Sequence, residues 1–162
     1  MASSSLQQQI ASMRQSLFDE GIIDRDRFIQ LETMTNPDFV NIAIKAYFED
    51  SPKAINDIEN AVEANPLNVT ELDRCLQIFK DGNDCIGASK VITEINNIEF
   101  FCYDKDMERS KSRAALATMQ QEYIILKSKL EAYLDLLRQA APAPIFMSKT
   151  NPPGQGSANG ND

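Results

Sequence analysis

The sequence predicts an all-α protein, an antiparallel four-helix bundle core preceded by two short N-terminal helices. Apolar residues recur at steps of three and four positions through most of the chain before residue 141, which is the spacing of one helix face. No window alternates polar and apolar residues in the way that predicts a strand. The last stretch of the pattern is long and regular enough to form the seam of a packed bundle.

An apolar stripe predicts the first helix, and Gly21 has the residue type that commonly ends one. The stripe is formed by Leu6, Ile10, Met13 and Leu17. Asp24 is a favourable N-cap and predicts a short second helix that carries Phe28 and Leu31.

Asn36 and Pro37 predict the start of the third helix, because a capping residue followed by proline at the first helical position is a common opening. Asn65-Pro66 is expected to close this helix. Pro52 falls inside it and predicts either a kink or a restart at Ser51. Its apolar positions are Phe39, Ile42, Ala46, Tyr47, Ile55, Ile58 and Val62.

Asn68 and Glu71, three residues apart, have the spacing of a capping box and predict the start of the fourth helix. Gly82 and Gly87 are expected to weaken the helix near its end. The apolar positions of the last three helices are Leu72, Cys75, Leu76 and Phe79, then Val91, Ile92, Ile95 and Ile98, and finally Leu116, Met119, Tyr123, Leu126, Leu130, Tyr133 and Leu137.

A change of composition divides the chain into a helical domain over residues 1–141 and a tail over residues 142–162. The tail holds Pro142-Ala-Pro144, then Pro152-Pro153-Gly154 and a run of Gly, Ser and Asn. It has too little apolar surface to offset the entropy lost on ordering, so we expect it to be disordered. Phe146 and Met147 within it are either a small docking spot or without a role.

The net charge of −8 and the isoelectric point near 4.6 argue against nucleic acid and anionic membrane as partners, since both require a cationic face. No apolar run approaches the length of a bilayer span, and the N-terminus lacks the layout of a signal peptide. We therefore expect a cytosolic or nucleocytoplasmic monomer. Cys75, Cys85 and Cys102 are odd in number and well separated, which favours free thiols.

The chain contains no histidine. Its absence excludes every mechanism that needs an imidazole as base, shuttle or nucleophile. With no histidine and no close pair of cysteines, the usual zinc-site spacings are also absent. We predict no metal site and no cofactor.

The stretch Leu76-Gln-Ile-Phe-Lys-Asp-Gly-Asn-Asp-Cys-Ile-Gly-Ala88 resembles the plant-type histidine-containing phosphotransfer (HPt) family. That family has here a histidine, then Gln-Leu-Lys-Gly, a serine-rich run and a closing Val/Ile-Gly-Ala. Aligned on Lys80 and Ile86-Gly87-Ala88, Gln77 stands where the family has its phosphorylated histidine. Weaker matches in the same order are Leu17-Phe-Asp-Glu-Gly-Ile-Ile23, Pro37-Asp-Phe-Val40, Tyr47-Phe-Glu-Asp50 and Gln121-Glu-Tyr-Ile-Ile-Leu-Lys-Ser-Lys-Leu-Glu131, so that the resemblance covers roughly residues 1 to 140.

The resemblance implies a face that binds receiver domains of hybrid histidine kinases and response regulators. Steps of three and four residues place Gln77, Lys80, Asp81 and Asp84 together on the side of the fourth helix away from its apolar residues. In the family the lysine helps to balance charge beside the histidine, and a glycine occupies the position of Asp81. Ile22, Ile23 and Phe28 are either core residues or the apolar edge of this receiver-binding surface.

Gln77 cannot replace the histidine, because the lone pair of an amide nitrogen is held in resonance and attacks phosphorus poorly. Phosphoryl transfer depends largely on positioning and electrostatics, yet it still requires an acceptor atom. The sequence therefore predicts a pseudo-HPt protein that is not an enzyme, binds receivers and dampens a cytokinin-type multistep phosphorelay in the cytoplasm and nucleus. Two alternatives stay open: an active carrier inactivated by one substitution at Gln77, or a helical adaptor for an unrelated partner.

Overall fold

The predicted apolar stripes form six helices in a computed structural model that describes residues 2–34, 36, 38–103 and 109–140. No strand occurs in these ranges. The helices are α1 (Ala2–Asp19), α2 (Arg25–Glu32), α3 (Phe39–Glu63), α4 (Val69–Ile86), α5 (Ser89–Tyr103) and α6 (Arg109–Ala140). None of them is long and apolar enough to cross a membrane.

Helices α3 to α6 form a closed ring of four, in which each helix packs against the next and α6 returns to α3. The interior of the ring is apolar, and its fully buried side chains include Ile44, Ile58, Leu72, Ile95 and Leu130. Outside the ring, α1 packs along α6 and α2 packs against α3 and α4. The predicted fold class is confirmed, although α1, with 18 residues, is as long as α4.

The predicted N-caps of α2 and α4 are confirmed. The carboxylate of Asp24 accepts a hydrogen bond from the backbone N–H of Arg27 at 2.9 Å. The side chain of Asn68 accepts one from the backbone N–H of Glu71 at 3.0 Å. Each bond satisfies a donor that the first turn of a helix leaves free.

Helix α3 begins two residues later than predicted. Asn36 does not cap the helix but accepts a hydrogen bond from the backbone N–H of Asp38 at 3.0 Å, a local turn in which the asparagine side chain replaces a backbone carbonyl. Asp38 is the N-cap. Pro37 lies outside the described residues.

Helix α3 is continuous through Pro52, so the predicted restart at Ser51 is wrong. Pro52 lacks the N–H that would bond four residues back, but the helix packs against α4 and α6 along its length and this tertiary packing maintains it. The hydroxyl of Ser51 is buried and donates to the carbonyl of Tyr47.

Helix α4 likewise continues through Gly82 and ends only at Ile86. Gly82 faces the ring of Tyr47, and a Cβ added to this glycine would lie 3.7 Å from the Cδ1 atom of that ring. Burial of the flanking residues Phe79, Asn83 and Ile86 offsets the low helix propensity of this glycine.

The three cysteines are free thiols, as predicted, with Cys75 and Cys102 buried and Cys85 half-buried. Residues 141–162 lie outside the described ranges, and with them Phe146 and Met147. The last described helix ends at Ala140, and the predicted domain boundary at residue 141 stays a prediction.

Candidate functional site

Helix α4 separates an apolar face from a polar one, as its pattern predicts. Leu72, Cys75, Leu76 and Phe79 are buried in the bundle. On the other side, Gln77, Asp81 and Asp84 are exposed and Lys80 is half-buried. These four polar residues share one face, which we call the α4 face.

Gln77 and Asp81 are hydrogen-bonded to each other across one helical turn. The Nε2 atom of Gln77 donates to Oδ1 of Asp81 at 2.8 Å. The amide oxygen of Gln77 points away from this bond, because only the nitrogen can donate to a carboxylate. The centre of the α4 face therefore presents an amide oxygen and a hydrogen-bonded carboxylate, and no imidazole.

Lys80 lies near Glu99 of α5, which in turn lies beside Asp73 of α4. Burial raises the pKa of Glu99, the neighbouring Asp73 raises it further, and the positive charge of Lys80 opposes both. The hydroxyl of Tyr103 donates to Oδ1 of Asp73 at 2.7 Å, and this bond raises the pKa of Tyr103 to about 12. The lysine of the α4 face thus balances local acidic charge, and the surface around it stays acidic.

The C-terminal end of α4 depends on Gly87. Its φ of 76° lies in the left-handed region that favours glycine. The backbone N–H of Gly87 bonds the carbonyl of Asp84 at 3.3 Å, and that of Ala88 bonds the carbonyl of Asn83 at 2.9 Å. These two bonds form a Schellman motif that satisfies carbonyls at the helix end.

The same end of α4 holds α2 in place. The backbone N–H of Asp24 donates to the carbonyl of Gly87 at 2.7 Å, and Nε of Arg27 donates to the carbonyl of Asp84 at 2.9 Å. A Cβ at Gly87 would come within 3.0 Å of the Cβ of Arg27. Ile86-Gly87-Ala88, on which the family resemblance was aligned, therefore has a structural role: it docks α2 beside the α4 face.

Ile22, Ile23 and Phe28 belong to the core, which corrects the expectation that they form an apolar edge of the receiver-binding surface. They are 4%, 2% and 0% exposed, so their side chains offer no surface to a partner. The chain turns at Gly21 and folds back, and the backbone N–H groups of both isoleucines bond the carbonyl of Leu17. The ring of Phe28 packs edge-on against Phe18 and Tyr133.

Asn83 is a structural residue that the sequence pattern did not single out, because it falls within the polar run after Asp81. It is fully buried, and its Oδ1 accepts a hydrogen bond from the hydroxyl of Tyr47 at 2.6 Å. Its Nδ2 donates to the carbonyl of Phe79 at 2.8 Å. The signal was its spacing, because Asn83 lies four residues after Phe79 and seven after Leu76 on the apolar stripe.

An apolar groove of about 680 Å³ runs between α3 and α4, next to the α4 face. Its walls include Ala46 and Cys85. Ile42 and Ile78 also line it and are 50% and 53% exposed. The sequence pattern predicted Ile42 on the apolar stripe of α3, but it did not predict that α4 leaves the Ile42 side chain exposed. We call this feature the α3–α4 groove.

The described helices therefore form a four-helix bundle whose second member, α4, carries a polar, solvent-exposed face. Pseudo histidine-containing phosphotransfer protein 2 of Oryza sativa subsp. japonica is 35% identical over 151 residues, covering 91% of this chain and 98% of that protein. Pseudo histidine-containing phosphotransfer protein 5 of the same species is 33% identical over 141 residues, covering 85% and 91%. No protein-family model matches the chain.

The solved structures agree with these relatives. A histidine-containing phosphotransfer protein of Medicago truncatula superimposes with a TM-score of 0.74 at 28% identity, covering 83% of this chain and 91% of that one. The chain belongs to the plant histidine-containing phosphotransfer family, in its pseudo subtype. It has a histidine at none of its 162 positions.

Proposed function

We propose that this chain is an inert member of the phosphorelay family that binds receiver domains and accepts no phosphoryl group. By occupying receivers of hybrid histidine kinases and response regulators, it competes with true carriers and dampens a cytokinin-type relay. It acts as a monomer in the cytoplasm and the nucleus, without enzymatic activity and without a cofactor.

The observation that carries this proposal is the Gln77–Asp81 pair. Its amide nitrogen and carboxylate are hydrogen-bonded at 2.8 Å at the centre of the exposed α4 face. An amide nitrogen is a poor nucleophile toward phosphorus, because its lone pair is held in resonance. Position 77 therefore lacks the imidazole that accepts the phosphoryl group in the family's true carriers.

The α4 face retains features that support receiver binding. Lys80 keeps the charge of the family's lysine, and Ile86-Gly87-Ala88 keeps the α2 contact that shapes the end of the face. Exposed apolar surface lies beside it in the α3–α4 groove. An interface of this kind combines an apolar centre with a charged rim.

Titration calorimetry of the full chain against a panel of kinase and response-regulator receivers tests binding. We expect at least one receiver to bind, and we expect Lys80→Glu to weaken that binding by about tenfold, because it reverses a charge within the interface. Lys111→Glu is the matched control, since Lys111 is exposed on α6, the helix diagonal to α4 in the ring.

Absence of binding to every receiver would remove the competitor proposal. A second measurement tests inertness: the chain is incubated with a receiver phosphorylated with labelled phosphate. Label on the chain would show that it is a carrier after all.

A further inference from the structure

The α3–α4 groove has no occupant among the described residues, although it is lined with apolar side chains. Ile42 on α3 and Ile78 on α4 are half-exposed, and they line the same groove. Exposed apolar side chains that share one concave surface are typical of a binding site. An occupant with apolar side chains of its own would cover both isoleucines.

The chain leaves the bundle beside α3, one of the two helices that form this groove. Near the end of α6, Leu134 and Arg138 line a small surface cavity together with Lys45 and Phe48 of α3. Lys45 lies three residues from Ile42, so the two side chains are about one turn apart on the same helix. Helix α6 ends two residues after Arg138, at Ala140.

The residues that follow have the length and composition to reach and fill the groove. Residues 141–145 span at most about 17 Å when extended, against a helix diameter of about 10 Å. Ile145-Phe146-Met147 is the one cluster of large apolar residues after Ala140.

Charge complementarity favours the same occupant. Lys149 follows the apolar cluster by two residues and is the sole cation after Arg138. Glu49 and Asp50 line the groove, and neither forms an ion pair within the described ranges. A lysine beside the docked cluster would meet these carboxylates.

We propose that Ile145-Phe146-Met147 of this chain docks in the α3–α4 groove, over Ile42 and Ile78, with Lys149 against Glu49 and Asp50. The docked segment covers apolar surface next to Gln77 and Asp81. If the proposed receiver binding is correct, on which this consequence rests, the segment and a receiver compete for adjoining surface. The C-terminal segment then lowers the affinity of the chain for receivers.

NMR of the full chain with labelled isoleucine methyl groups tests the contact without any receiver. We expect nuclear Overhauser effects between the Phe146 ring and the methyl groups of Ile42 and Ile78. Phe146→Ser with Met147→Ser should abolish them and shift both methyl signals. Ile124, which is 58% exposed on α6, supplies a control methyl group whose signal should not move. Thr150→Ser is the matched control substitution in the same segment.

Unchanged Ile42 and Ile78 signals in the Phe146→Ser, Met147→Ser variant would overturn the proposal. The proposal would also be overturned if the Overhauser effects arose only between different molecules in a sample of differently labelled chains. The occupant of the groove would then be a second copy of the chain. Receiver titrations separate this proposal from the function. If the Overhauser effects are present and no receiver binds, the docked segment is confirmed and the proposed receiver-binding function is contradicted. If the Phe146→Ser, Met147→Ser variant binds receivers with the same affinity as the unchanged chain, the segment does not lower receiver affinity.

Discussion

Under the proposed function, two side chains account for the absence of phosphoryl transfer at position 77. The amide of Gln77 supplies no nucleophile, and the carboxylate of Asp81 holds its nitrogen at 2.8 Å. A histidine placed at 77 would have the same carboxylate as its neighbour one turn away. An adjacent carboxylate favours the protonated imidazole, so it raises the histidine pKa and removes the free lone pair that attacks phosphorus.

We therefore expect Gln77→His alone to restore phosphoryl transfer only in part. A histidine pKa raised from about 6.5 to between about 7.5 and 8.5 would reduce the neutral fraction at pH 7 by about 3-fold to 25-fold. Adding Asp81→Asn should recover most of that rate, and the gain should shrink as the pH rises above the raised pKa. The measurement is the initial rate of labelled phosphate transfer from a phosphorylated receiver at pH 6.5 to 9.

Two further variants complete this comparison. Asp84→Asn in the Gln77→His background is the matched control, since Asp84 shares the α4 face but lies two turns from position 77. Asp81→Gly removes bulk as well as charge, so a rate above that of Asp81→Asn would indicate steric crowding. Full transfer by Gln77→His alone would contradict the role of Asp81 and favour the alternative of an active carrier with a single inactivating substitution.

Asn83 makes a residue-scale contribution to stability. Its replacement by alanine leaves the buried hydroxyl of Tyr47 without the acceptor it now has at 2.6 Å, and we expect the free energy of unfolding to fall by about 2 kcal/mol. In a Tyr47→Phe background the same Asn83→Ala change should cost less, because no hydroxyl is left unpaired. Urea unfolding of the four proteins measures this difference, and strictly additive losses would contradict the hydrogen-bond account.

At the scale of the element, α4 is the part of the chain that connects fold and site. One of its faces fills the bundle, the other carries Gln77 and Asp81, and its end binds α2 through Gly87. Two glycines lie in this helix region with opposite roles. Gly87 has a positive φ and a close neighbour, whereas Gly82 has ordinary helical geometry and space for a methyl group.

Alanine at these two glycines should consequently change stability in opposite directions. We expect Gly87→Ala to destabilise the protein by about 1 to 2 kcal/mol, since alanine is strained in the left-handed region and its Cβ would meet Arg27. Gly82→Ala should stabilise it by about 0.5 to 1 kcal/mol through helix propensity. Urea midpoints of both variants test this pair, and a shift of the same sign in both would contradict the geometry described for α4.

Much of the element scale could be predicted from sequence, because it depends on local rules. The spacing of apolar residues located the helices, and Asp24 and Asn68 marked starts through their own side chains. The errors lie where tertiary packing decides. Neighbouring helices keep α3 continuous through Pro52, and the turn at Gly21 buries Ile22 and Ile23.

The candidate site was predictable in part for the same reason. Helical periodicity alone places Gln77 and Asp81 on one exposed face, and a spacing of four residues permits their hydrogen bond. The α3–α4 groove could not be predicted, because it depends on how far apart two helices pack. Burial of Asn83 was visible in its spacing, but its partner Tyr47 is 36 positions away along the chain.

In the whole molecule, the parts that would support the proposed receiver binding are separate from position 77. The bundle, the α2 contact and Lys80 are present, while position 77 carries an amide in place of an imidazole. Under the proposed function the chain affects a relay by occupying its partners, so its effect should depend on its concentration relative to true carriers. The helical-adaptor alternative differs here, since binding would then survive changes in the α4 face and be lost on deleting residues 142–162.

A competition assay tests the central claim most directly. A phosphorylated kinase receiver, a true histidine-containing carrier and increasing amounts of this chain are mixed, and the transfer of labelled phosphate to the carrier is followed. We predict that transfer slows in proportion to receiver occupancy, with half-inhibition near the Kd measured by titration and no label on this chain. Undiminished transfer at a saturating excess of the chain, or label on the chain itself, would contradict the account.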